Sequence, residues 1–283
     1  MSNAHLLKPS FSNHMRENAL FYALLVFGAA LMIGPFVWML STALKLPADQ
    51  FDKRLIPHDI TLSNFSTAWE LMDFRHLLWN SFRIAALSTV GQVLTCSMGA
   101  FIFAVVKFPG REILFLTLLA TLMVPAQMTV IPQFIIFRAL GIYGTSLPLY
   151  LPAFLGGAFG VFLLRQYFRT IPLDLLEAAR LDGASLLSIY WRIYLPLAKP
   201  ALAALAIFAF MSSWNDLFTA LIYLPSDLEK TTLPVGLSLF SKLYRAQWTL
   251  MMAATLISVA PIMVAFFFVQ RQFIQGVALT GVK

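Results

Sequence analysis

The sequence is poor in charged residues. Only 12% of its 283 residues are Asp, Glu, Lys or Arg, and 59% are hydrophobic, whereas globular proteins have about 25% and about 45–50%. Six stretches, each longer than the roughly 20 residues that cross a bilayer, contain no charge apart from Asp216. These stretches are 18–44, 84–106, 113–137, 139–164, 200–226 and 246–270. The composition excludes a soluble enzyme, a nucleic-acid-binding protein and a disulfide scaffold, and it indicates a membrane protein with several spans.

Residues that commonly carry chemistry are scarce or badly spaced. Cys96 is the only cysteine, so no disulfide can form within the chain. The four histidines lack the spacing of metal ligands, and we expect no metal site. The nearest approach to a phosphate-binding loop, in residues 276–283, lacks the Gly-Lys-Ser/Thr end. We therefore expect no cofactor in this chain and an energy source outside it, in a partner or an ion gradient.

The apolar stretches predict an all-α polytopic membrane protein with six transmembrane helices and both termini on one side. Pro125 and Pro132 should kink the third helix. No repeat or soluble domain is visible, so we expect a single domain over 1–283. The predicted spans are 19–41, 84–106, 113–135, 147–164, 200–222 and 248–270, and the long connecting loops are 42–83, 165–199 and 223–247.

Two further features of the sequence concern how the spans pack and how they are oriented in the membrane. Gly156 and Gly160 form a small-xxx-small pair in the fourth span, which predicts close packing between helices. Lys and Arg are equally dense in the two sets of connecting segments, so the positive-inside rule does not assign the orientation. The orientation has to come from another signal.

That signal is a motif in loop 165–199. The motif reads Glu177-Ala178-Ala179, three residues, Gly183, nine residues, Ile193, one residue, and Leu195-Pro196. Its spacing is complete, and no other segment of the chain repeats it. The motif therefore marks this loop as the most informative part of the sequence.

Local physical chemistry predicts two helices in this loop. Pro172 suits the first turn of a helix, and Gly183 can adopt the positive φ that ends one. Ser185 can cap a second helix over 186–194, which Pro196 should end. The two helices would form a knob with a small-residue edge at Ala178 and Ala179. An alternative is an amphipathic helix on the membrane surface, with Leu173, Leu176 and Ile189 among the lipid headgroups.

The complete motif resembles the cytoplasmic coupling loop of permease subunits in binding-protein-dependent ABC importers. Its context at 171–185 is similar to the carbohydrate-uptake branch, of the maltose-permease-G-like type in the MetI-like superfamily. The segments 122–125, 213–216 and 270–271 extend this resemblance over nearly the whole chain.

The resemblance implies the type I importer permease fold in a bacterial or archaeal cytoplasmic (inner) membrane. Both termini and loop 165–199 would be cytoplasmic, and loops 42–83 and 223–247 would lie outside. The implied partners are a second homologous permease, two ATPase subunits that hold ATP and Mg, an extracytoplasmic solute-binding protein, membrane lipid and a sugar-like solute. This chain would be a transport subunit and not itself an enzyme. The implied ATPase-coupling residues are Glu177, Ala178, Ala179, Arg180, Asp182, Gly183, Ile193, Leu195 and Pro196.

Asp216 is the one ionisable residue within a predicted span. A charge at that depth costs about 2.5–3.5 kcal/mol on insertion scales, so it should face the bundle interior or water. We interpret Ser213, Trp214, Asn215 and Asp216, with Gln92 in the second span, as candidates for the substrate pathway. Two alternatives remain open. These polar groups could fix contacts between helices, or the chain could be a stand-alone secondary transporter with Asp216 as its coupling-ion site.

Overall fold

The structure is a computed structural model that describes residues 19–224, 230–244 and 247–280, and within these residues every regular element is helical. The all-α prediction is therefore confirmed. The helices are α1 (Ala19–Ala43), α2 (Ser63–Leu71), α3 (Phe74–Val105), α4 (Arg111–Ala120), α5 (Ala126–Ala139), α6 (Leu147–Tyr150), α7 (Ala158–Phe168), α8 (Leu173–Leu181), α9 (Leu186–Ile189), α10 (Leu195–Leu197), α11 (Lys199–Trp214), α12 (Phe218–Tyr223), α13 (Leu233–Leu243) and α14 (Trp248–Thr280). A π-helical turn at Tyr190–Tyr194 joins α9 to α10.

The described residues contain several candidates for membrane spans. Phe21–Ala43, Phe74–Val105 and Leu147–Phe168 are each long and apolar enough to cross a bilayer. Two pairs pass the same test but are sharply bent: Arg111–Met123 with Ala126–Ala139, at 98°, and Leu186–Leu197 with Lys199–Trp214, at 80°. Trp248–Val264 is a shorter apolar helix. The arrangement is broadly consistent with the six predicted spans, although several of their boundaries differ.

The second span begins earlier than predicted. Helix α3 starts at Phe74, ten residues before the predicted boundary at 84. The prediction began the span at 84 because Arg75 and Arg83 are charged and interrupt the apolar sequence before it. Its helical pattern nevertheless continues, because Phe74 and Leu77 are fully buried on one face. At the other end of the chain, α14 continues to Thr280, past the predicted end at 270.

The third span was predicted as a kinked helix over 113–135, and the structure instead breaks it. Val124 is extended, with φ −83° and ψ 116°, as expected for a residue that precedes proline. Pro125 then precedes the first residue of α5. Pro132 lies inside α5 without ending it. Of the two prolines, only Pro125 redirects the chain.

The fifth span and the second helix of loop 165–199 also differ from prediction. Helix α11 ends at Trp214 and not at 222. Pro196 does not end the helix that begins at 186. The π-helical turn lets the Leu195 N–H bond to the Tyr190 carbonyl, five residues back, and helix continues until the bend at Ala198. Pro196 has no N–H to donate, and it lies just after the π-helical turn, where the α-helical hydrogen-bond spacing resumes.

The structure forms two compact units. One comprises the residues up to Ala68 with Tyr244–Leu256, and the other comprises Trp69–Leu243 with the residues from Ile257 onward. In the first unit, the buried Asn64 amide donates to the carbonyls of Ala43 (2.8 Å) and Lys45 (2.7 Å), which fixes the chain after α1. The expectation of a single domain stays a prediction, and the two termini and residues 225–229 and 245–246 of loop 223–247 lie outside the described residues.

The core of the second unit is built where α3, α7 and α11 pack together. A Cβ added at Gly160 would lie 2.6 Å from Cys96 Sγ and 3.1 Å from Leu205 Cδ1. The predicted close packing is confirmed at Gly160. Gly156 has another role, because its φ of +85° places it in the break before α7.

Gly160→Ala should destabilise this core, and Gly28→Ala is the matched control. Both changes gain about 0.5–1 kcal/mol of helix propensity, and at Gly28 nothing lies within 4 Å of the added methyl group. At Gly160 the overpacking should cost about 1–3 kcal/mol. Thermal unfolding in detergent should therefore show a lower midpoint for Gly160→Ala than for Gly28→Ala. Equal midpoints would contradict the described packing.

Candidate functional site

The first half of loop 165–199 is a short helix closed by a glycine turn. Helix α8 ends in a pair of bonds, from the Ala184 N–H to the Ala179 carbonyl (2.9 Å) and from the Gly183 N–H to the Arg180 carbonyl (3.0 Å). These are the two bonds of a Schellman motif. Gly183 has a φ of +76°, which confirms the predicted glycine corner.

The motif residues of α8 divide between a buried and an exposed face. Leu176 and Ala179 are buried, while Glu177, Ala178, Arg180 and Asp182 are exposed. The predicted small-residue edge is thus wrong for Ala179, because the 3.6-residue repeat turns it toward the core with Leu176. Of the two alanines, only Ala178 contributes to the exposed face.

The second half of the loop starts with a capped turn. The Ser185 hydroxyl accepts a hydrogen bond from the Ser188 N–H at 3.2 Å, which confirms the predicted cap. Farther on, Ile193 and Leu195 are half-buried and Pro196 is exposed. The motif residues therefore do not form one patch: those of α8 project outward, whereas Ile193 and Leu195 pack at the base of the knob.

The burial pattern argues against an amphipathic helix lying on the membrane surface. That alternative required Leu173, Leu176 and Ile189 to contact lipid headgroups. The structure buries Leu176 and Ile189 in the protein core, and of the three only Leu173 is exposed. Leu181, beside the glycine corner, is 89% exposed. Exposed leucines next to Glu177 and Arg180 form a mixed apolar and charged surface of the kind that docks a protein partner.

An aromatic cluster connects this knob to helix α3. The Phe101 ring lies 5.0 Å from Tyr194, 5.4 Å from Tyr190 and 6.5 Å from Phe168. The buried hydroxyls of Tyr190 and Ser97 are 2.7 Å apart. Ser97 donates to the Leu94 carbonyl at 3.0 Å, so it accepts from Tyr190. The cluster packs the knob against α3, and the aromatic spacing within the loop motif was the signal that sequence reasoning overlooked.

Arg165 is a second feature that the sequence analysis missed. Its side chain is buried at the end of α7, where Nη2 donates to both carboxylate oxygens of Glu112, at 2.7 and 2.8 Å. Its Nε donates to the Phe103 carbonyl (3.1 Å), and the guanidinium lies 3.9 Å from the centre of the Phe115 ring. These contacts satisfy a buried charge that would otherwise be costly. Arg165 thereby fixes the point from which loop 165–199 begins.

The predicted pathway residues Ser213, Trp214, Asn215 and Asp216 lie at a break between α11 and α12. The Asn215 side-chain amide donates to the Met211 carbonyl at 2.9 Å. The Asp216 carboxylate accepts from the Thr219 N–H at 2.9 Å, so it caps the first turn of α12. Trp214 is buried and stacks on Phe210. The acidic group predicted within a span therefore occurs where the helix has stopped.

Only part of this predicted group comes together with the second span. The Ser213 hydroxyl donates to the Ser88 hydroxyl on α3 at 3.3 Å, and Ser88 donates to the Leu149 carbonyl at 3.3 Å. Gln92 lies one turn after Ser88 on α3, where its amide nitrogen approaches Gly157. The exposed Asn215 and the half-buried Asp216 make their bonds within their own segment. Among the described residues no group of three His, Cys, Asp or Glu side chains could hold a metal ion.

Comparison with known proteins gives consistent matches. Residues 96–279 match the family described as "Binding-protein-dependent transport system inner membrane component". The osmoprotective compounds uptake permease protein GgtD of Synechocystis sp. is 36% identical over 231 residues, which cover 80% of this chain and 78% of that protein. The arabinooligosaccharides transport system permease protein AraQ of Halalkalibacterium halodurans is 35% identical over 231 residues, covering 80% and 81%. The lactose transport system permease protein LacG of Rhizobium radiobacter is 31% identical over 255 residues, covering 90% and 93%.

Solved structures give the same result. A chain of a bacterial ABC transporter involved in the import of the acidic polysaccharide alginate superposes with a TM-score of 0.75 at 29% identity, covering 94% of this chain and 99% of that chain. A second chain, from a bacterial alginate ABC transporter in complex with a pentasaccharide-bound periplasmic protein, has a TM-score of 0.58 at 18% identity and supports the fold alone. The type I importer permease fold predicted from the sequence is confirmed. The chain belongs to the family of inner membrane components of binding-protein-dependent transport systems.

Proposed function

We propose that this chain is one of two homologous permease subunits of an ATP-driven importer for a sugar or sugar-like solute. The relatives named for arabinooligosaccharides, lactose and osmoprotective compounds support the solute class. The observation that carries the mechanism is the exposed face of α8, which displays Glu177, Ala178, Arg180 and Asp182 above a buried aromatic base. In this proposal that face docks on an ATPase subunit.

The proposed mechanism follows from how the knob is attached. ATP and Mg are held by the two ATPase subunits, and this chain contributes no ATP site. When the ATPases close, they push on Glu177 and its neighbours. The Schellman turn and the Phe101 cluster transmit that displacement to α3, because a packed core moves as a body and does not deform continuously. The spans then change from inward-open to outward-open, and an extracytoplasmic solute-binding protein releases the solute into the pore.

The proposed solute path runs along the break at 215–217. Ser212 is exposed in the last turn of α11 and Asn215 just after it, whereas the other exposed residues of this half of the helix, Phe208 and Met211, are apolar. A polar group at membrane depth avoids lipid and faces a water-filled cavity or another subunit. This face of α11 therefore lines the interface with the second permease, with Ser213, Asp216 and Gln92 behind it as supports of the wall.

Reversing the charge of Glu177 should uncouple the transporter. Glu177→Lys places a cation in the proposed ATPase interface, where losing a buried charge contact costs roughly 2–5 kcal/mol. We expect solute-stimulated ATP hydrolysis by the purified complex to fall at least about tenfold, the factor that corresponds to 1.4 kcal/mol. Glu70→Lys, which reverses an exposed helical carboxylate in loop 42–83, is the control and should retain stimulation. Normal stimulation in Glu177→Lys would refute the coupling role.

The Ser97–Tyr190 bond should show an asymmetric mutational response. Ser97→Ala leaves the buried Tyr190 hydroxyl without its acceptor, at a cost of roughly 1–3 kcal/mol. Tyr190→Phe leaves the Ser97 hydroxyl still bonded to Leu94, so the loss is the net hydrogen bond, roughly 0.5–1.5 kcal/mol. Thermal unfolding of both variants and of the double variant should show a larger loss of stability for Ser97→Ala than for Tyr190→Phe. These variants should also move fewer solute molecules per ATP hydrolysed. Additive losses in the double variant would show that the two hydroxyls act separately.

The proposed orientation has both termini and loop 165–199 in the cytoplasm. Cys96 is buried, so replacing it with alanine gives a background for new cysteines. Thr170→Cys should react with a membrane-impermeant maleimide in inverted vesicles and not in intact cells. Lys53→Cys, exposed in loop 42–83, should show the reverse. Labelling of Thr170→Cys in intact cells would invert the proposed orientation.

A further inference from the structure

A polar recess lies apart from both sites described above. It has a volume of about 450 Å³ and opens between the first part of α3, the turn before α6 and the segment around α12. Its lining residues include Asn80, Arg83, Thr145, Ser146, Leu224 and Lys230. A volume of this size exceeds what a single ion or one acidic side chain would fill, and it admits a sugar ring.

The described lining of the recess includes two basic side chains. Arg83 and Lys230 line it, and no carboxylate does so among the described residues. Arg83 is exposed, and its Nη2 donates to the Ser146 hydroxyl at 3.3 Å. None of the ion pairs between described residues includes Arg83. The guanidinium thus keeps donors directed at the recess, and Ser146 helps to hold it in place.

The walls of the recess are fixed by hydrogen bonds that do not involve the cations. The Asn80 amide donates to the Thr231 carbonyl at 3.0 Å, and the Ser81 hydroxyl accepts from the Leu233 N–H at 2.7 Å. The Gly144 N–H donates to the Tyr223 carbonyl at 3.1 Å. Because these bonds hold three separate segments, the described walls of the recess are in place before a ligand arrives, which lowers the entropic cost of binding.

The recess lies on the same helix as the proposed solute path. Arg83 precedes Ser88 by five residues of α3, which is about 7.5 Å along a helix axis. Ser88 in turn bonds to Ser213 beside the break at 215–217. The recess is therefore more than one turn beyond the polar cluster, toward the end of α3 that the proposed orientation places outside.

We infer that this recess binds a sugar that carries a carboxylate, such as a uronic acid, as the solute enters the path. Arginine binds carboxylates through two parallel N–H···O bonds, which are about twice as strong as neutral ones. The hydroxyl of Ser146 and the peptide groups of the walls suit the ring hydroxyls of a sugar. The inference rests on the proposed function, whose solute class it narrows, and it depends on Arg83.

Binding of two matched probes tests this inference. The full transporter with its ATPase subunits, in nanodiscs, is titrated with digalacturonate and with the neutral galactobiose. Wild-type protein should bind digalacturonate, and binding should weaken as salt rises. Arg83→Gln should weaken it at least about tenfold, since the guanidinium that makes the charge-assisted hydrogen bonds is removed. Arg83→Lys should recover part of the loss. Arg75→Gln, on the same helix but outside the recess, is the matched control and should bind as wild type does.

The outcomes separate this inference from the proposed function. No binding of digalacturonate by wild-type protein, or equal loss of both probes in Arg83→Gln, would overturn the carboxylate site. If solute-stimulated ATP hydrolysis still depended on Glu177, the importer function would stand without it. If no ATPase subunits co-purified with the chain, the proposed function itself would fail.

Discussion

The structure depends on one constraint, which is that backbone polar groups at membrane depth must find partners inside the protein. An unbroken helix satisfies this constraint by itself. This chain interrupts its apolar helices at Pro125, Gly156, Ala198 and Asn215. At each interruption the freed amides and carbonyls have to be paired by other means, and at two of these breaks polar side chains supply partners.

Two of these breaks show how the pairing works. Before α7, the Cys96 sulfur accepts from the Gly157 N–H at 3.3 Å, and the Thr95 hydroxyl, which donates to the Gly91 carbonyl of its own helix at 2.8 Å, also lies 3.3 Å from the Ala153 carbonyl. At the end of α11, the Asp216 carboxylate caps the next turn. Cys96 on α3 and Asp216 after α11 thus bond to the backbone of a neighbouring segment. The polar groups of the spans thus hold the breaks in place, and the breaks in turn shape the surface on which a solute path can run.

The sequence was informative wherever a single periodicity or a fixed spacing determined the structure. The apolar stretches predicted the helical fold, and the spacing around Gly183 predicted the glycine corner of loop 165–199. The breaks at Ala198 and Asn215 were not predictable, because they depend on a π-helical turn and a carboxylate cap that form only in the folded chain. Ala179 was placed on the wrong face for a related reason. The motif suggested that it contacts a partner protein, whereas its position three residues after the buried Leu176 turns it toward the core.

Two arginines show why composition alone could not distinguish a structural charge from one available to a ligand. Arg165 and Arg83 both adjoin an apolar stretch of the sequence. Arg165 is buried and its guanidinium is matched by both oxygens of Glu112, so its binding capacity is used within the fold. Arg83 is exposed and contacts a neutral hydroxyl. A buried charge without a carboxylate would be too costly to retain, whereas an exposed one in a polar recess costs little. The difference in partners, and not in residue type, makes one arginine part of the scaffold and the other a candidate for recognition.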